Sequence, residues 1–295
     1  MLSEVPPEVQ QGIIEFLQRD SSPATVTNFS FVGGGSINKA GKLGTSAGEF
    51  FLKWNEAQKF PGMFEAEVKG LTLLRAPGVI YIPKVVHTGE TSSFQYLLLE
   101  FITPSARGKK YWEHLGQQLA ALHRVTAARF GLDHANYIGS LPQHNTPTTT
   151  WVAFYIEQRL TVQVKLACDA HRVDARWTKM FEALYKRLPE LLPEELPALL
   201  HGDLWSGNLL ANAQGAPCLV DPAVYFGHRE AELAMTQLFG GFDNEFYEAY
   251  HHAYPLQPGF ERRVDLYTLY PLLVHVNLFG GSYVGAVENV LRKYT

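Results

Sequence analysis

A short glycine-rich stretch carries residue types that bind metal ions and move protons. In LHGDLWSGNLL (residues 200–210), Asp203 and Asn208 stand five positions apart, and a later apolar run ends at Asp221-Pro222. A turn at residues 213–215 folds the chain back, so we expect the three side chains to converge. Oxygen ligands from an Asp and an Asn suit Mg²⁺, which takes one or two carboxylates together with phosphate oxygens. The remaining Asp would accept a hydroxyl proton or orient that hydroxyl, as phosphoryl transfer requires.

The order of these residues is typical of one class of phosphotransferase. A His before the Asp, an Asn five positions after it and a second Asp directly after a strand match the catalytic and metal loops of protein-kinase-like enzymes. The plainer interpretation is that Asp203 and Asn208 only form turns, as these residue types commonly do. The presence of Asp221 at this distance favours the catalytic interpretation.

A lysine in a β-prone segment provides an independent indication. Kinase-like sites hold phosphates with a strand lysine that a helix glutamate positions. Lys53 lies within FFLKW, and a predicted helix at Pro61–Leu74 follows. Glu67 shares the apolar stripe of that helix, whereas Glu65 is spaced to pair with Lys69 on a solvated face. Because a buried acid needs a partner, we expect an ion pair between Lys53 and Glu67; an exposed strand lysine is the alternative.

Glycines follow the first predicted strand. We predict that Gly33, Gly34, Gly35 and Ser36 form a lid over phosphates, because glycines let backbone N–H groups approach them. A hairpin turn is the alternative. The pattern GxGxxG is incomplete, since Asn38 stands at its third glycine position. The next element is predicted to be a strand, so a dinucleotide-binding fold is not expected.

Composition narrows the possible functions. The chain has 295 residues, of which 46% are hydrophobic and 18% charged, as is ordinary for a globular protein with one large domain or two lobes. A net charge of −4 without a basic run argues against nucleic-acid or membrane partners. The chain has no signal-peptide pattern and no apolar stretch of about 18 residues. Its two cysteines lie outside any CxxC pair, so we expect a cytoplasmic protein without disulfides or zinc.

The predicted elements change character along the chain. The first hundred residues are predicted to contain strands at Thr25–Val32, Lys39–Leu43, Glu49–Trp54, Lys84–Thr88 and Tyr96–Phe101, with helices at Pro7–Leu17 and Pro61–Leu74. Helices follow at Tyr111–Arg124, Trp151–Ala170, Asp174–Leu188, Ala231–Phe239, Glu245–Tyr254 and Phe260–Phe279, around a small β region near residues 199–220. We therefore predict an α+β fold with a β-rich nucleotide-binding lobe at residues 1–102. A mainly helical catalytic and substrate-binding lobe would cover residues 103–295.

The longer motifs resemble one family. LLHGDLWSGN, followed by VDPAVYFGHREAELAMTQLFGGF, resembles the fructosamine kinase (ketosamine-3-kinase) family, and FLKWN, MFEAEVKGL, LLLEF and WVAFYIEQRL also fit. HGDLWSGN is specific, because aminoglycoside and choline phosphotransferases usually carry other residues at Trp205 and Ser206. The resemblance implies a bilobal protein-kinase-like fold. It also implies transfer of the γ-phosphate of ATP to the 3-hydroxyl of ketoamines, the adducts of sugars with amines, which promotes deglycation.

The resemblance assigns roles to individual residues. Asp203 would be the catalytic base, while Asn208 and Asp221 would bind Mg²⁺. Lys53 would hold the phosphates of ATP, with Glu67 as its ion-pair partner. The hinge meeting adenine through backbone groups would be Leu99–Ile102, which contains Glu100, Phe101 and Ile102.

Two departures from protein kinases affect regulation. Gly202 replaces the Arg of the HRD motif, so control by a phosphorylated activation loop is not expected. Neither cysteine falls in the glycine segment, so redox control there has no obvious thiol.

The residues that bind the acceptor have alternative interpretations. We hypothesise that Trp205 forms an apolar wall for the sugar; alternatively, it packs between loop and lobe. Trp151, Tyr155 and Arg159 recur at i,i+4 on one predicted helix face, which either borders the same pocket or belongs to the core. His201 is predicted to be a packed core histidine and His228 a structural polar group near a helix start.

Two other functions compete with ketoamine phosphorylation. A kinase for an aminoglycoside or amino alcohol would need a pocket lined with acids, whereas the expected acceptor region is aromatic. A pseudokinase predicts loss of at least one of Lys53, Asp203, Asn208 or Asp221, and all four are present. The preferred ketoamine, free or protein-bound, and the oligomeric state stay open.

Overall fold

The computed structural model describes residues 4–19, 23–33 and 37–294. The chain forms two compact units, one of Met1–Lys109 with Leu210–Val220 and one of Lys110–Leu209 with Asp221–Thr295. The first contains the largest sheet and the second most of the helices, so the predicted α+β class is confirmed. The hairpin near residue 215 belongs to the first unit. A single boundary along the chain, such as one at residue 102, would assign this hairpin to the second unit.

A five-stranded antiparallel sheet forms the centre of the first unit. Its elements are α1 (Pro7–Gln18), β1 (Val26–Phe31), β2 (Lys39–Thr45), β3 (Gly48–Glu56), α2 (Met63–Arg75), β4 (Val85–Glu90) and β5 (Phe94–Glu100), with strand order β1-β2-β3-β5-β4. The register places Lys53 between Ala40 on β2 and Leu97 on β5. A strand paired on both sides holds its side chains in fixed directions, so the sheet fixes where Lys53 points.

Helix α1 covers part of this sheet because its apolar residues recur with helical spacing on one face. Pro7 occupies the first turn, where its missing N–H costs nothing, and Val9, Ile13 and Leu17 recur on one buried stripe. The stripe packs into a core that includes Trp54 of β3.

The remaining elements are listed here in chain order: α3 (Tyr111–His123), β6 (Asn136–Ile138), β7 (Leu141–Gln143), α4 (Trp151–Phe154), α5 (Thr161–Asp169), α6 (Arg176–Leu191), β8 (Ala198–Leu200), β9 (Leu209–Ala211), β10 (Pro217–Leu219), β11 (Tyr225–Gly227), α7 (Arg229–Leu238), α8 (Asn244–Ala253), α9 (Phe260–Phe279) and α10 (Ser282–Tyr294). Strands β6, β7 and β11 and helix α10 were not predicted. Three-residue strands are too short to show the alternation on which a strand prediction rests. In the described part of the chain, no helix combines the length and apolarity that a membrane span requires.

The predicted single helix at Trp151–Ala170 is interrupted. A π-helical turn at Tyr155–Leu160 separates α4 from α5. A π turn shifts the positions that share a helix face, yet Trp151, Tyr155 and Arg159, which were grouped by their i,i+4 spacing, are all buried.

The hairpin of β9 and β10 lies beside the segment that follows β5. Ser105 donates its backbone N–H to Ala211 at 3.1 Å, and Gly108 donates to Gly215 at 3.0 Å. Gly215 has a φ of +74°, and a Cβ there would lie 2.8 Å from the backbone nitrogen of Gly108. Glycine is therefore required at this turn by both backbone conformation and space.

Candidate active site

The loop between β8 and β9 begins with a glycine that no other residue can replace without a shift. Gly202 has a φ of +84°, and a Cβ at this position would lie 2.0 Å from the carbonyl oxygen of Ala223. Ala223 comes close because its N–H donates to the carbonyl of His201 at 2.9 Å. The absence of the HRD arginine thus has a steric reason: any side chain at residue 202 would collide with the backbone that follows Asp221.

The three oxygen-bearing side chains of the sequence motif belong to one cluster. The Nδ2 group of Asn208 lies 2.8 Å from the carbonyl oxygen of Asp203 and 3.1 Å from its Oδ2. The same Nδ2 group lies 3.4 Å from the carbonyl oxygen of Asp221. Asn208 ends a 3-10 turn at Ser206–Asn208, so the short turn aims its amide at both aspartates.

Asp221 lies in an unusual backbone conformation. Its φ is +53°, a left-handed region that residues with a Cβ rarely occupy and that concentrates at functional sites. The residue is exposed. The strained turn after β10 therefore places the Asp221 carbonyl at the Asn208 amide, and the Asp221 carboxylate is close enough to raise the pKa of Asp203.

The donor set here fits magnesium better than a transition metal. Among the described residues, no group of three or more His, Cys, Asp and Glu side chains is arranged to hold a metal ion. A cation here would instead use Asn208 Oδ1 and the Asp221 carboxylate, with water and phosphate oxygens completing its shell. This all-oxygen set is the type that Mg²⁺ prefers.

The electrostatics of Asp203 suit a group that exchanges protons. Burial raises the pKa of Asp203 to about 8. The Asn208 amide lowers this pKa, while the neighbouring carboxylates of Asp221 and Glu232 raise it. A pKa near the working pH is what a general base requires, because the group must take up a proton readily and release it again.

Glu232 of α7 binds the backbone at the start of the loop that carries Asp203. Its carboxylate accepts the backbone N–H of His201 at 3.1 Å and of Gly202 at 2.6 Å. His123 of α3 lies 2.9 Å from the same carboxylate through Nε2, and its Nδ1 lies 2.8 Å from the hydroxyl of Tyr250. Burial alone would raise the pKa of Glu232, but the His123 and Gly202 hydrogen bonds lower it. A buried, ionised carboxylate therefore anchors the backbone next to Asp203.

A pocket lies beside Asp203 within the second unit. Its lining is mainly aromatic and aliphatic. It includes Gly202, Tyr225, Met235, Tyr270, Val274 and His275. Of the lining carboxylates, Glu232 is already engaged by the loop backbone and His123. A reacting group in this pocket would thus meet Asp203 as its acidic contact, surrounded by largely apolar walls.

Trp205 lies over its own loop and remains 38% exposed. A Cβ on Gly207 would be 2.1 Å from the Trp205 ring, so the indole covers this glycine closely. This contact orients the ring while leaving part of it accessible, and it is compatible with the predicted role in sugar binding.

The predicted acceptor residues Trp151, Tyr155 and Arg159 are all buried in the core of the second unit. Trp151 stacks on Tyr155 with ring centroids 5.0 Å apart. The Arg159 guanidinium lies 4.1 Å from the Tyr225 ring centroid and donates 2.7 Å to Asn145 Oδ1. Of the three, Tyr155 also lines the pocket. Trp151 and Arg159 therefore occupy the core position that was the alternative interpretation.

The predicted ion pair of Lys53 and Glu67 is present in the first unit. Lys53 Nζ lies 2.9 Å from both carboxylate oxygens of Glu67. Both side chains are almost completely buried. Glu65 pairs with Lys69 at 2.8 Å on the exposed face, as the helical spacing predicts.

The residues predicted to form the hinge lie at the end of β5 and directly after it, in the same unit. The Glu100 carboxylate accepts hydrogen bonds from the Tyr81 hydroxyl and, at 3.0 Å, from the Lys84 backbone N–H. Phe101 packs under the Lys42 ammonium at 4.8 Å, and Ile102 is buried. Gly33 is exposed, while Gly34, Gly35 and Ser36 lie outside the described residues.

His201 and His228, the two histidines predicted to be structural, are both buried. His201 is buried and accepts the Asp203 backbone N–H at 3.3 Å. His228 is buried at the start of α7, where Nδ1 accepts the Glu230 backbone N–H. Glu232 and the pocket residues of α9 were not predicted from the sequence. In the sequence they stand out only as an acid in α7 and a histidine in α9, each within an otherwise apolar helix pattern. An acid on the buried stripe of α7 was the only available indication of Glu232.

Comparisons with known proteins agree with this geometry. A family model described as "Fructosamine kinase" matches residues 9–295. A "Probable ketoamine kinase" of Lactiplantibacillus plantarum is 43% identical over 269 residues, which covers 89% of this chain and 92% of that protein.

Solved structures extend the likeness to the fold. A Thermobifida fusca protein assigned as a fructosamine-3-kinase has a TM-score of 0.85 at 33% identity, covering 96% of this chain and 97% of that chain. The aminoglycoside phosphotransferase APH(4)-Ia has a TM-score of 0.62 at 17% identity, covering 97% and 98%, and at that identity it shows the protein-kinase-like fold alone. From its motif, its fold and the match to nearly its whole length, the chain belongs to the fructosamine kinase family.

Proposed function

We propose that the protein is an ATP-dependent kinase that phosphorylates the 3-hydroxyl of ketoamines and thereby promotes deglycation. The observation that carries this proposal is Asp203, which lies at an aromatic pocket with the Asn208 amide on its carboxylate. The names of similar proteins, ketoamine kinase and fructosamine-3-kinase, support the same substrate class.

The proposed reaction is a direct phosphoryl transfer. The 3-hydroxyl oxygen forms a bond to the γ-phosphorus of ATP while the bond from that phosphorus to the β,γ-bridging oxygen breaks. The hydroxyl proton passes to Asp203, and the products are ADP and the phosphorylated ketoamine. Asn208 Oδ1 and the Asp221 carboxylate would hold Mg²⁺, which supplies positive charge to the phosphate oxygens.

On the nucleotide side, Lys53 would bind the α- and β-phosphates. Its ion pair with Glu67 holds the ammonium in place, so less conformational freedom is lost when phosphate binds. Backbone groups of Glu100, Phe101 and Ile102 would meet adenine. The segment Gly33–Ser36 would cover the phosphates.

The chemistry of the pocket favours a ketoamine over a polycationic acceptor. An aminoglycoside carries several ammonium groups, each of which needs a carboxylate or carbonyl partner when it is buried. Glu232 already accepts hydrogen bonds from the loop backbone and His123, and the other pocket walls are mostly aromatic or aliphatic. A sugar bearing a single amine fits this lining better.

We further propose that the protein acts in a reducing compartment such as the cytoplasm, without nucleic-acid or membrane partners. Cys168 and Cys218 are both free thiols, and the net charge is −4. Free thiols persist where glutathione keeps them reduced.

A panel of acceptors tests the assignment. ADP formation would be measured with fructosamines, ribulosamines and erythrulosamines, and with aminoglycosides and amino alcohols as the competing class. We expect turnover with at least one ketoamine and a phosphate on its 3-oxygen by NMR. Turnover of an aminoglycoside or amino alcohol with no turnover of any ketoamine would overturn the proposal.

A further inference from the structure

A partly exposed cluster of aromatic rings adjoins the acceptor pocket. We call it the aromatic rim; it consists of Phe239, His275, Phe279 and Tyr283. The His275 ring centroid lies 4.7 Å from that of Phe239, 5.5 Å from that of Phe279 and 4.9 Å from that of Tyr283. Phe279 is 60% exposed and Phe239 is 37% exposed. Such rings are usually buried, and a cluster of them at the surface marks an interaction site.

The rim is continuous with the site of phosphoryl transfer. His275 lines the pocket that contains Asp203 and also contacts the other three rings of the rim. Two residues after Phe239, Gly241 approaches the loop that carries Asp203 so closely that a Cβ there would lie 2.8 Å from the Ser206 side chain. The rim therefore begins where the pocket ends.

The central ring of the rim is fixed and uncharged. His275 Nδ1 lies 2.8 Å from the Pro271 carbonyl oxygen, which can only accept, so Nδ1 carries the proton. Burial lowers the pKa of His275, and the ring is consequently neutral near pH 7. The rim is thus two phenyl rings and one phenol ring around a neutral imidazole, a surface suited to an aliphatic chain and to the positive end of an amine.

We propose that the aromatic rim binds the amine substituent of the ketoamine, and specifically the aliphatic stem of a lysine within a polypeptide. This inference rests on the proposed function. A sugar held beside Asp203 must direct its amine substituent out of the pocket, and the rim extends outward from the pocket at His275. The four-carbon stem of lysine is long enough to pass across adjacent rings of the rim. A free small amine would leave Phe239 and Phe279 uncovered.

Two acceptors with the same sugar and different amines test the rim. One is a fructosylated lysine in a short peptide with blocked ends, and the other is fructosyl-methylamine. We expect Phe279→Ala to lower kcat/KM for the peptide about tenfold, through loss of apolar contact. The same variant should change kcat/KM for fructosyl-methylamine by less than about twofold, because the sugar subsite is intact. Phe239→Ala should act in the same direction.

Leu196→Ala is the matched control, since Leu196 is 70% exposed in the same unit and is not part of the rim; it should affect neither acceptor. Equal losses on both acceptors, or no loss on the peptide, would overturn the role of the rim. Circular dichroism and Tm would establish that each variant is folded. Should the wild-type enzyme phosphorylate neither fructosyl acceptor, the ribulosyl and erythrulosyl adducts of the same two amines replace them; failure on all of these would count against the proposed function itself, so the two failures are distinguishable.

Discussion

The backbone N–H of Gly202 donates a 2.6 Å hydrogen bond to the carboxylate of Glu232, thirty residues further along the chain. Together with the His201 bond to the same carboxylate, it fixes the backbone that carries Asp203. Gly202 cannot contribute a side chain, because a Cβ would collide with Ala223. The loop is therefore positioned through its main chain by a residue of α7.

Replacing Glu232 should impair the chemical step more than binding. Glu232→Gln keeps the size of the side chain but cannot accept all the hydrogen bonds that the carboxylate accepts. We expect kcat to fall about 10- to 100-fold, since small displacements of a catalytic group have effects of this size. The KM values for ATP and acceptor should stay within about twofold. Steady-state kinetics on the folded variant would measure both.

The matched control for this prediction is Glu230→Gln on the same helix. Glu230 is equally buried but pairs with Arg263 at 2.6 Å. We expect it to lower Tm without lowering the kcat of the folded enzyme. If both variants lost kcat equally, the Glu232 effect would be one of general stability.

Asp203→Asn should abolish transfer and stabilise the protein. The folded pKa of about 8 lies above the ordinary value of 3.8. Between these pH values the folded state binds more protons than the unfolded state, so the stability of the wild type falls as pH rises through this window. Asparagine removes this cost, because it carries no ionisable group.

We therefore expect the Tm of Asp203→Asn to exceed that of the wild type at pH 8, with little difference at pH 4. Each kcal/mol should correspond to roughly 2–4 °C for a protein of this size. Scanning calorimetry without nucleotide or metal at both pH values would measure the difference. Binding of ATP with Mg²⁺ should persist while kcat falls by at least about 100-fold. A fully active variant would show that Asp203 is not the base.

Breaking the pair of Lys53 and Glu67 should cost both stability and activity. Glu67→Gln removes the carboxylate from a buried ammonium, for which we expect a loss of about 3 kcal/mol in the free energy of unfolding. The double variant Lys53→Met/Glu67→Leu should recover much of this stability and remain inactive, because hydrophobic side chains replace the pair but cannot bind phosphate. Urea unfolding and ATP kinetics would separate the two effects.

Glu65→Gln serves as the control here, since the Glu65–Lys69 pair is exposed. Exposed pairs contribute little, and this variant should resemble the wild type in both assays. Activity in the double variant would refute the phosphate-binding role of Lys53.

Trp205→Ala should affect the acceptor much more than ATP. Removing the exposed part of the indole would take away an apolar wall for the sugar. We expect the acceptor KM to rise about tenfold and the ATP KM to change by less than about twofold. Initial rates with each substrate varied would measure this. A proportional rise of both KM values would instead indicate that the indole only holds the loop over Gly207.

Local spacing explains why much of the site could be predicted. Asp203 and Asn208 belong to one loop, so their spacing brings them together whatever surrounds them. Glu67 was separable from Glu65 because helical periodicity alone divides a buried face from a solvated one. The interrupted helix at residues 151–169 was not predicted, since a π turn leaves the apolar pattern of the sequence nearly unchanged.

By itself, the sequence indicated the family and its class of chemistry, the residues proposed to carry it and the two kinds of region that contain them. These properties depend on residue type and on short-range periodicity, which are present in the unfolded chain. Only the tertiary structure decided that Glu232 anchors the loop, that Trp151 and Arg159 are core residues, and that an aromatic pocket with an exposed rim opens beside Asp203. These features depend on contacts between residues far apart in the chain, because packing selects which buried acids and aromatic rings meet, and no local pattern specifies those partners.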